Sequence, residues 1–123
     1  MATVLIGENV PDLGQALRLI FTRAGHEVRA TVTGDETLRS ACAEPPDLIV
    51  MNPTLPGFDG LEVCRMLRAD PRTSRVPILM LSVHQQPGDL AAAHAAGADE
   101  FRGKPFDNRE LLACAEGLMA RTA

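Results

Sequence analysis

Short apolar runs alternate with amphipathic stretches along the whole chain. Thr3-Val4-Leu5-Ile6, Leu48-Ile49-Val50-Met51 and Val76-Pro77-Ile78-Leu79-Met80-Leu81 are almost unbroken. Successive strand residues point to opposite faces, so an unbroken run predicts a strand covered on both sides, as in a parallel sheet layered by helices. His26 to Val32 alternates and predicts an edge strand, and Asp99 to Arg102 predicts a short, weaker one. Between the strands, Leu13, Leu17, Ile20 and Ala24 recur at helical spacing before Gly25, a residue suited to a left-handed C-terminal position. Asp59 precedes Leu61 with Glu62 three residues on, and Asp107 precedes Leu111 with Glu110 three residues on; both resemble capping boxes. Asp12 also reads as a helix cap. Asp35 to Ala43 and Asp89 to Ala96 predict the remaining helices, the second mostly alanine, with strong propensity but few side chains to anchor it.

Strand then helix, repeated five times, predicts an α/β fold: a doubly wound five-stranded parallel sheet with helices on both faces. Ligands and chemistry in such sheets collect outside the carboxyl ends of the strands. Here those positions are Gly7 to Val10, Asn52 to Thr54, Ser82 to His84 and Gly103 to Phe106.

At about 150 residues per domain, 123 residues predict one domain over 1–123. The balance of 12 Lys+Arg against 16 Asp+Glu, net −4, argues against a nucleic-acid surface, which needs clustered cations. Four Phe with neither Tyr nor Trp leave little platform for stacking single-stranded bases. No apolar stretch approaches the ~18 residues of a membrane span, and Met1-Ala2-Thr3-Val4 lacks the basic flank of a signal peptide, so a soluble, cytoplasmic chain is expected. Cys42, Cys64 and Cys114 are odd in number and widely spaced, which predicts small packed thiols and not a disulfide framework or zinc site. His26, His84 and His94 stand at no ligand-like spacing.

Three segments carry a family resemblance. They are Pro46 to Met51 entering the third strand, Leu55-Pro56-Gly57-Phe58-Asp59-Gly60-Leu61-Glu62 after it, and Ala96 to Phe101 before Lys104-Pro105-Phe106. Together they resemble the receiver domain of bacterial two-component response regulators, over Val4 to about Met119. The resemblance implies a flavodoxin-like sheet of strand order 2-1-3-4-5 and a signalling module, not an enzyme. In that family an Asp ending the third strand accepts a phosphoryl group from a histidine kinase. A Mg²⁺ held by that Asp and an acidic pair after the first strand offsets charge, and a Lys and a Ser/Thr hydroxyl hold the phosphoryl oxygens. The resemblance places Ser82 at the hydroxyl position, Lys104 with Pro105 at the lysine position, and Phe101 at the ring that changes rotamer on activation.

The acidic positions depart from this pattern. Glu8 and Asn9 stand where the acidic pair belongs, and Asn52 stands at the phosphoacceptor, followed by Pro53 and Thr54. An amide keeps the carboxylate's shape but carries no negative charge and presents an NH₂ donor. Affinity for hard cations follows ligand charge, so Mg²⁺ binding, with Glu8 its weak remaining ligand, is expected to be weak or absent. Asn52 is not a competent nucleophile, and Pro53 lacks the backbone N–H that deamidation would use. Asn9 and Asn52 together read as natural divergence, since a single engineered change would leave the acidic pair intact.

Against their bland readings, Lys104 is expected to line the pocket with Glu8 as its nearest anionic partner. Phe101 is expected to be a packed ring, and Ser82 stays open between a strand-end hydroxyl and a switch. Val83 is expected to crowd the pocket's entrance. The function expected is a receiver that acts through protein contacts, independently of phosphorylation, with a sensor kinase, an output domain or another regulator as partner. A homodimer through the fourth helix, fifth strand and fifth helix would use Ala91, Ala92, Ala95 and Ala96 beside Asp99, Glu100, Arg102 and Arg109. The alternative is a Mg²⁺-dependent phosphoacceptor using a substitute residue such as Glu8. The chain stops soon after the fifth helix, which leaves open a stand-alone regulator or one domain of a longer protein.

Overall fold

A computed structural model describes residues 2–83 and 86–122; His84, part of one sequence-predicted edge segment, lies outside them. Five strands, β1 (Thr3–Gly7), β2 (Glu27–Thr31), β3 (Leu48–Met51), β4 (Ile78–Ser82) and β5 (Glu100–Gly103), alternate with five helices. The helices are α1 (Pro11–Arg23), α2 (Gly34–Ala43), α3 (Gly60–Ala69), α4 (Pro87–Ala96) and α5 (Asn108–Thr122). All pairings are parallel, in the order β2-β1-β3-β4-β5.

The unbroken apolar runs divide between two cores. Leu5, Ile49, Met51, Ile78 and Met80 point to one face, where they meet Ala41 of α2, Val63, Cys64 and Leu67 of α3, and Ala93 and Ala96 of α4. Val4, Ile6, Leu48, Val50, Leu79 and Leu81 point to the other, against Leu17 and Phe21 of α1 and Leu111, Ala115 and Leu118 of α5. The alternation forced by the pleat therefore builds both layers at once.

Several element ends differ from the sequence expectation. Pro11 occupies the start of α1, so Asp12 lies in the first turn and favours the positive helix end by charge; it is not the cap. α2 starts at Gly34 under a full capping box of Thr33 and Glu36. Asp59 caps α3 by accepting from Glu62 N–H (2.9 Å), and Asp107 accepts from Arg109 and Glu110 N–H ahead of α5. β4 begins after Pro77, whose missing N–H keeps it out of the ladder, although its carbonyl accepts from Ile49 N–H (3.0 Å). Asp99 stands outside β5, with its Oδ2 accepting from Ile78 N–H and from Arg68 Nη2, each at 2.8 Å. It is thus tied to the amino edge of the sheet, while its Oδ1 lies 3.6 Å from Arg121 Nη2 of α5. Ala96 packs into the core, while Ala91 and Ala95 face outward.

Candidate functional site

Strand register assembles the site. Gly7 of β1 lies opposite Met51 of β3, so the next residues, Glu8 and Asn52, leave neighbouring strands side by side. Asn52 N–H donates to Gly7 O (3.0 Å), extending the ladder one step past both strands. Gly60 lets the start of α3 approach this point, because a Cβ there would collide with the Asn52 carbonyl. At the end of β5, Lys104 follows Gly103, and its backbone N–H donates to Ser82 O (2.9 Å).

From that position the Lys104 side chain reaches back across the sheet edge, and Nζ donates to Glu8 Oε1 at 2.9 Å. Both side chains are largely withdrawn from water, Glu8 at 2% and Lys104 at 10% exposure. Glu8 Oε2 accepts from Val10 N–H (3.1 Å) and from Asn52 Nδ2 (3.1 Å). Asn52 Nδ2 also lies 3.5 Å from Asn9 Oδ1. The other half of the amide is equally engaged, with Asn52 Oδ1 accepting from Thr54 N–H (3.0 Å) and Thr54 Oγ1 (2.9 Å). Glu8, Asn9, Asn52 and Lys104 thus form one connected cluster.

This network fixes the orientation of the amide. Acceptors from Glu8 and Asn9 lie on one side of Asn52 and donors from Thr54 on the other, which matches NH₂ and C=O respectively. Mg²⁺ needs several hard oxygens in near-octahedral array. The cluster offers one carboxylate, already bonded to an ammonium, and turns an N–H donor towards it, so these residues do not fit that ion as they stand. The sequence places Thr54 in the carboxyl-edge segment Asn52 to Thr54 but assigns it no role. Its signal was the hydroxyl two residues beyond an Asn at a strand end, the pattern of an Asx turn.

Ser82 and Phe101 stand in a neighbouring cleft of about 320 Å³ that is also lined by Thr54 and Leu55 and by Ala92 of α4. Phe101 is partly buried and packs against the α2–α3–α4 core. Val83, expected to crowd the entrance of the polar pocket, is mostly exposed and is not among the residues that line this cleft. Pro105 follows Lys104 through a cis peptide bond and lines a separate recess with Phe106 and Glu110.

The cysteines lie away from the cluster. Burial on the core-facing side of α3 pushes the Cys64 thiol up to about 11. On the loop after α3, hydrogen bonds from the Arg72 side chain hold the Asp70 carboxyl at about 2.

A polar cluster where β1 and β3 diverge, in a parallel sheet of order 2-1-3-4-5, defines a flavodoxin-like domain with its site at the topological switch point. The chain belongs to the response regulator receiver domain family, whose model matches residues 4–116. Among its relatives is the DNA-binding dual master transcriptional regulator RpaA of Synechocystis sp., 36% identical over 99% of this chain and 51% of that regulator. A putative response regulator from Chloroflexus aurantiacus superposes with TM-score 0.93 at 33% identity, covering 97% of this chain and 98% of that one. The receiver domain of a sensor histidine kinase from Pseudomonas aeruginosa, solved with a magnesium ion coordinated in its active site cleft, superposes with TM-score 0.91 at 28% identity, covering 97% and 98%. The chain spans about half the length of the curated relatives it matches. No described helix is long and apolar enough to cross a membrane.

Proposed function

We propose that this receiver domain works in two-component signalling without forming an aspartyl phosphate, and that it signals through protein contacts. The hydrogen bond from Asn52 Nδ2 to Glu8 Oε2 carries the reading. On this reading Asn52 is a neutral amide at the family's phosphoacceptor position, and the bond uses the donor half of that amide to hold the remaining carboxylate. With Lys104 on its other oxygen, Glu8 has charge compensation from within the chain, and weak or absent Mg²⁺ binding follows from that. The same two bonds weigh against Glu8 as a substitute nucleophile, since both its oxygens are engaged.

Protein contact is supported by the loops around the cluster. Val10, Val32, Phe58 and Val83 follow β1, β2, β3 and β4, and they are exposed by between 41% (Phe58) and 64% (Val83). Apolar groups gathered around a polar centre suit a partner surface, a sensor kinase or an output domain in this family. For a homodimer through α4, β5 and α5, the exposed Leu90, Ala91 and Ala95 of α4 are the contact residues. The test is to add acetyl phosphate, or beryllofluoride with Mg²⁺, and follow backbone amide shifts. An unchanged spectrum is expected; saturable shifts clustered at residues 8, 52, 82 and 104 would refute the proposal.

A further inference from the structure

We infer that the cleft beside Phe101 is a binding site for a small organic cation with an apolar body, an alkyl- or aralkylammonium. Its volume, about 320 Å³, lies at the lower end of the range of ligand pockets. Leu55, Leu61, Ala92 and Phe101 give it an apolar wall, beside the hydroxyl residues Thr54 and Ser82. Two carboxylates, Asp59 from the start of α3 and Asp89 from the first turn of α4, face the same space, and no Lys, Arg or His is among the described residues that line it.

Each carboxylate spends one oxygen on its own helix end. Asp59 Oδ1 accepts from Glu62 N–H, and Asp89 Oδ2 accepts from Gln86 N–H (3.1 Å). An ionised carboxylate has about four lone-pair sites, so each keeps acceptor capacity for an ammonium group. A partly apolar cleft lined by two carboxylates favours a cation over an anion of the same shape, because charge withdrawn from water is tolerated only when it is paired. The charge thus selects the ligand's head and the walls select its body.

The cleft also shares a residue with the polar cluster. Thr54 lines it and holds Asn52 Oδ1 through two hydrogen bonds. A ligand that shifts Thr54 disturbs Asn52 and, through it, Glu8 and Lys104. As the input replacing phosphate, the ligand rests on the phosphate-independent reading above; as a binding site, the cleft does not depend on it.

The experiment is an amide-shift titration of the whole chain with phenethylammonium, and with phenylacetate as the oppositely charged counterpart. The expected result is saturable binding of the cation in the millimolar range, appropriate to so small a probe, with shifts at Leu55, Leu61, Ala92 and Phe101. Asp59→Asn and Asp89→Asn should each weaken it about tenfold, the loss of one charge-assisted hydrogen bond, while Asn preserves the helix-end acceptor. Ala92→Leu, which keeps helix propensity and fills the cleft, should abolish binding. Absence of saturation, equal shifts from phenylacetate, or indifference to all three substitutions would overturn the proposal. None of these outcomes bears on the acetyl phosphate test, so the two readings fail separately.

Discussion

The sheet carries an ion pair at each end, and the two are built on different principles. At the amino edge, Arg68 of α3 donates to Asp99 and to the carbonyls of Gly97, Ser74 and Val76. Asp99 also accepts from Ile78 N–H. Most of those partners are backbone, so the pair ties α3, α4 and β4 together whatever side chains surround it. At the carboxyl edge, Glu8 meets Lys104 and Asn52 through side chains, with Val10 N–H its backbone partner. An ion pair tied to backbone holds the fold. One tied to side chains can be rewired by substitution.

Burial sharpens the contrast. Arg68 and Asp99 keep 22% and 26% of their side-chain surface in water, against 10% and 2% for Lys104 and Glu8. Removing one partner of a buried pair strands the other charge, so Lys104→Ala should cost about 3–5 kcal/mol in denaturant unfolding at neutral pH. The double variant Lys104→Met with Glu8→Gln should recover most of that loss. If the single variant is as stable as the parent, the carboxyl-edge pair is solvated in solution and the contrast fails.

Arg68→Ala comes next, at about 2–4 kcal/mol, because it leaves half-buried carbonyls without a donor and removes the nearer charge partner of Asp99, which keeps Ile78 N–H. Here Arg68→Lys should rescue poorly, since an ammonium cannot span the same divergent acceptors. Equal rescue by Lys would show the amino-edge pair to be a simple charge contact.

Which parts of this comparison could be read from the sequence follows the same division. The two-faced apolar runs laid out both cores, and the family resemblance placed Glu8, Asn52 and Lys104 together, because those roles belong to residue types. Arg68 gave no signal, since backbone carbonyls have no residue identity to read. Asp99 read as strand because a half-buried acid beside Phe101 fits an alternating pattern; its role is to accept from the first residue of β4. The Thr33 cap was hidden by the Gly34 that follows it, and Pro11 displaced Asp12 from a cap its residue type favours.

At the carboxyl edge alone, Asn52→Asp inverts the logic of the amide. It replaces a donor 3.1 Å from Glu8 Oε2 by a second carboxylate oxygen, which should cost about 1–3 kcal/mol at neutral pH. The repulsion raises the folded-state pKa of the introduced carboxyl above its unfolded value. The loss is therefore absent below the ordinary carboxylate pKa and grows as pH rises through the raised one. The difference in unfolding free energy between parent and variant, followed from pH 3.5 to 8, should show this slope, to roughly the 1.4 kcal/mol per pKa unit that linkage allows. Labelling by acetyl phosphate should stay low in this variant and rise when Asn9→Asp is added, because the second acid supplies the charge that Mg²⁺ needs.

The smallest effect tests whether the amide's orientation is held from the far side. Thr54→Val keeps the backbone donor to Asn52 Oδ1 and removes the hydroxyl at 2.9 Å, so about 1 kcal/mol should be lost. Thr54 is exposed, and water can take the vacated position, which sets that figure as a ceiling. The more telling readout is the Asn52 side-chain NH₂ resonance pair. If Thr54 fixes the amide, the pair should broaden or shift in the variant while the Arg68 guanidinium signals at the other end of the sheet stay in place. An Asn52 resonance pair unmoved by the loss of the hydroxyl would mean that Glu8, Asn9 and the Thr54 backbone N–H orient the amide without it, and the cleft beside Thr54 would then have no side-chain route into the polar cluster.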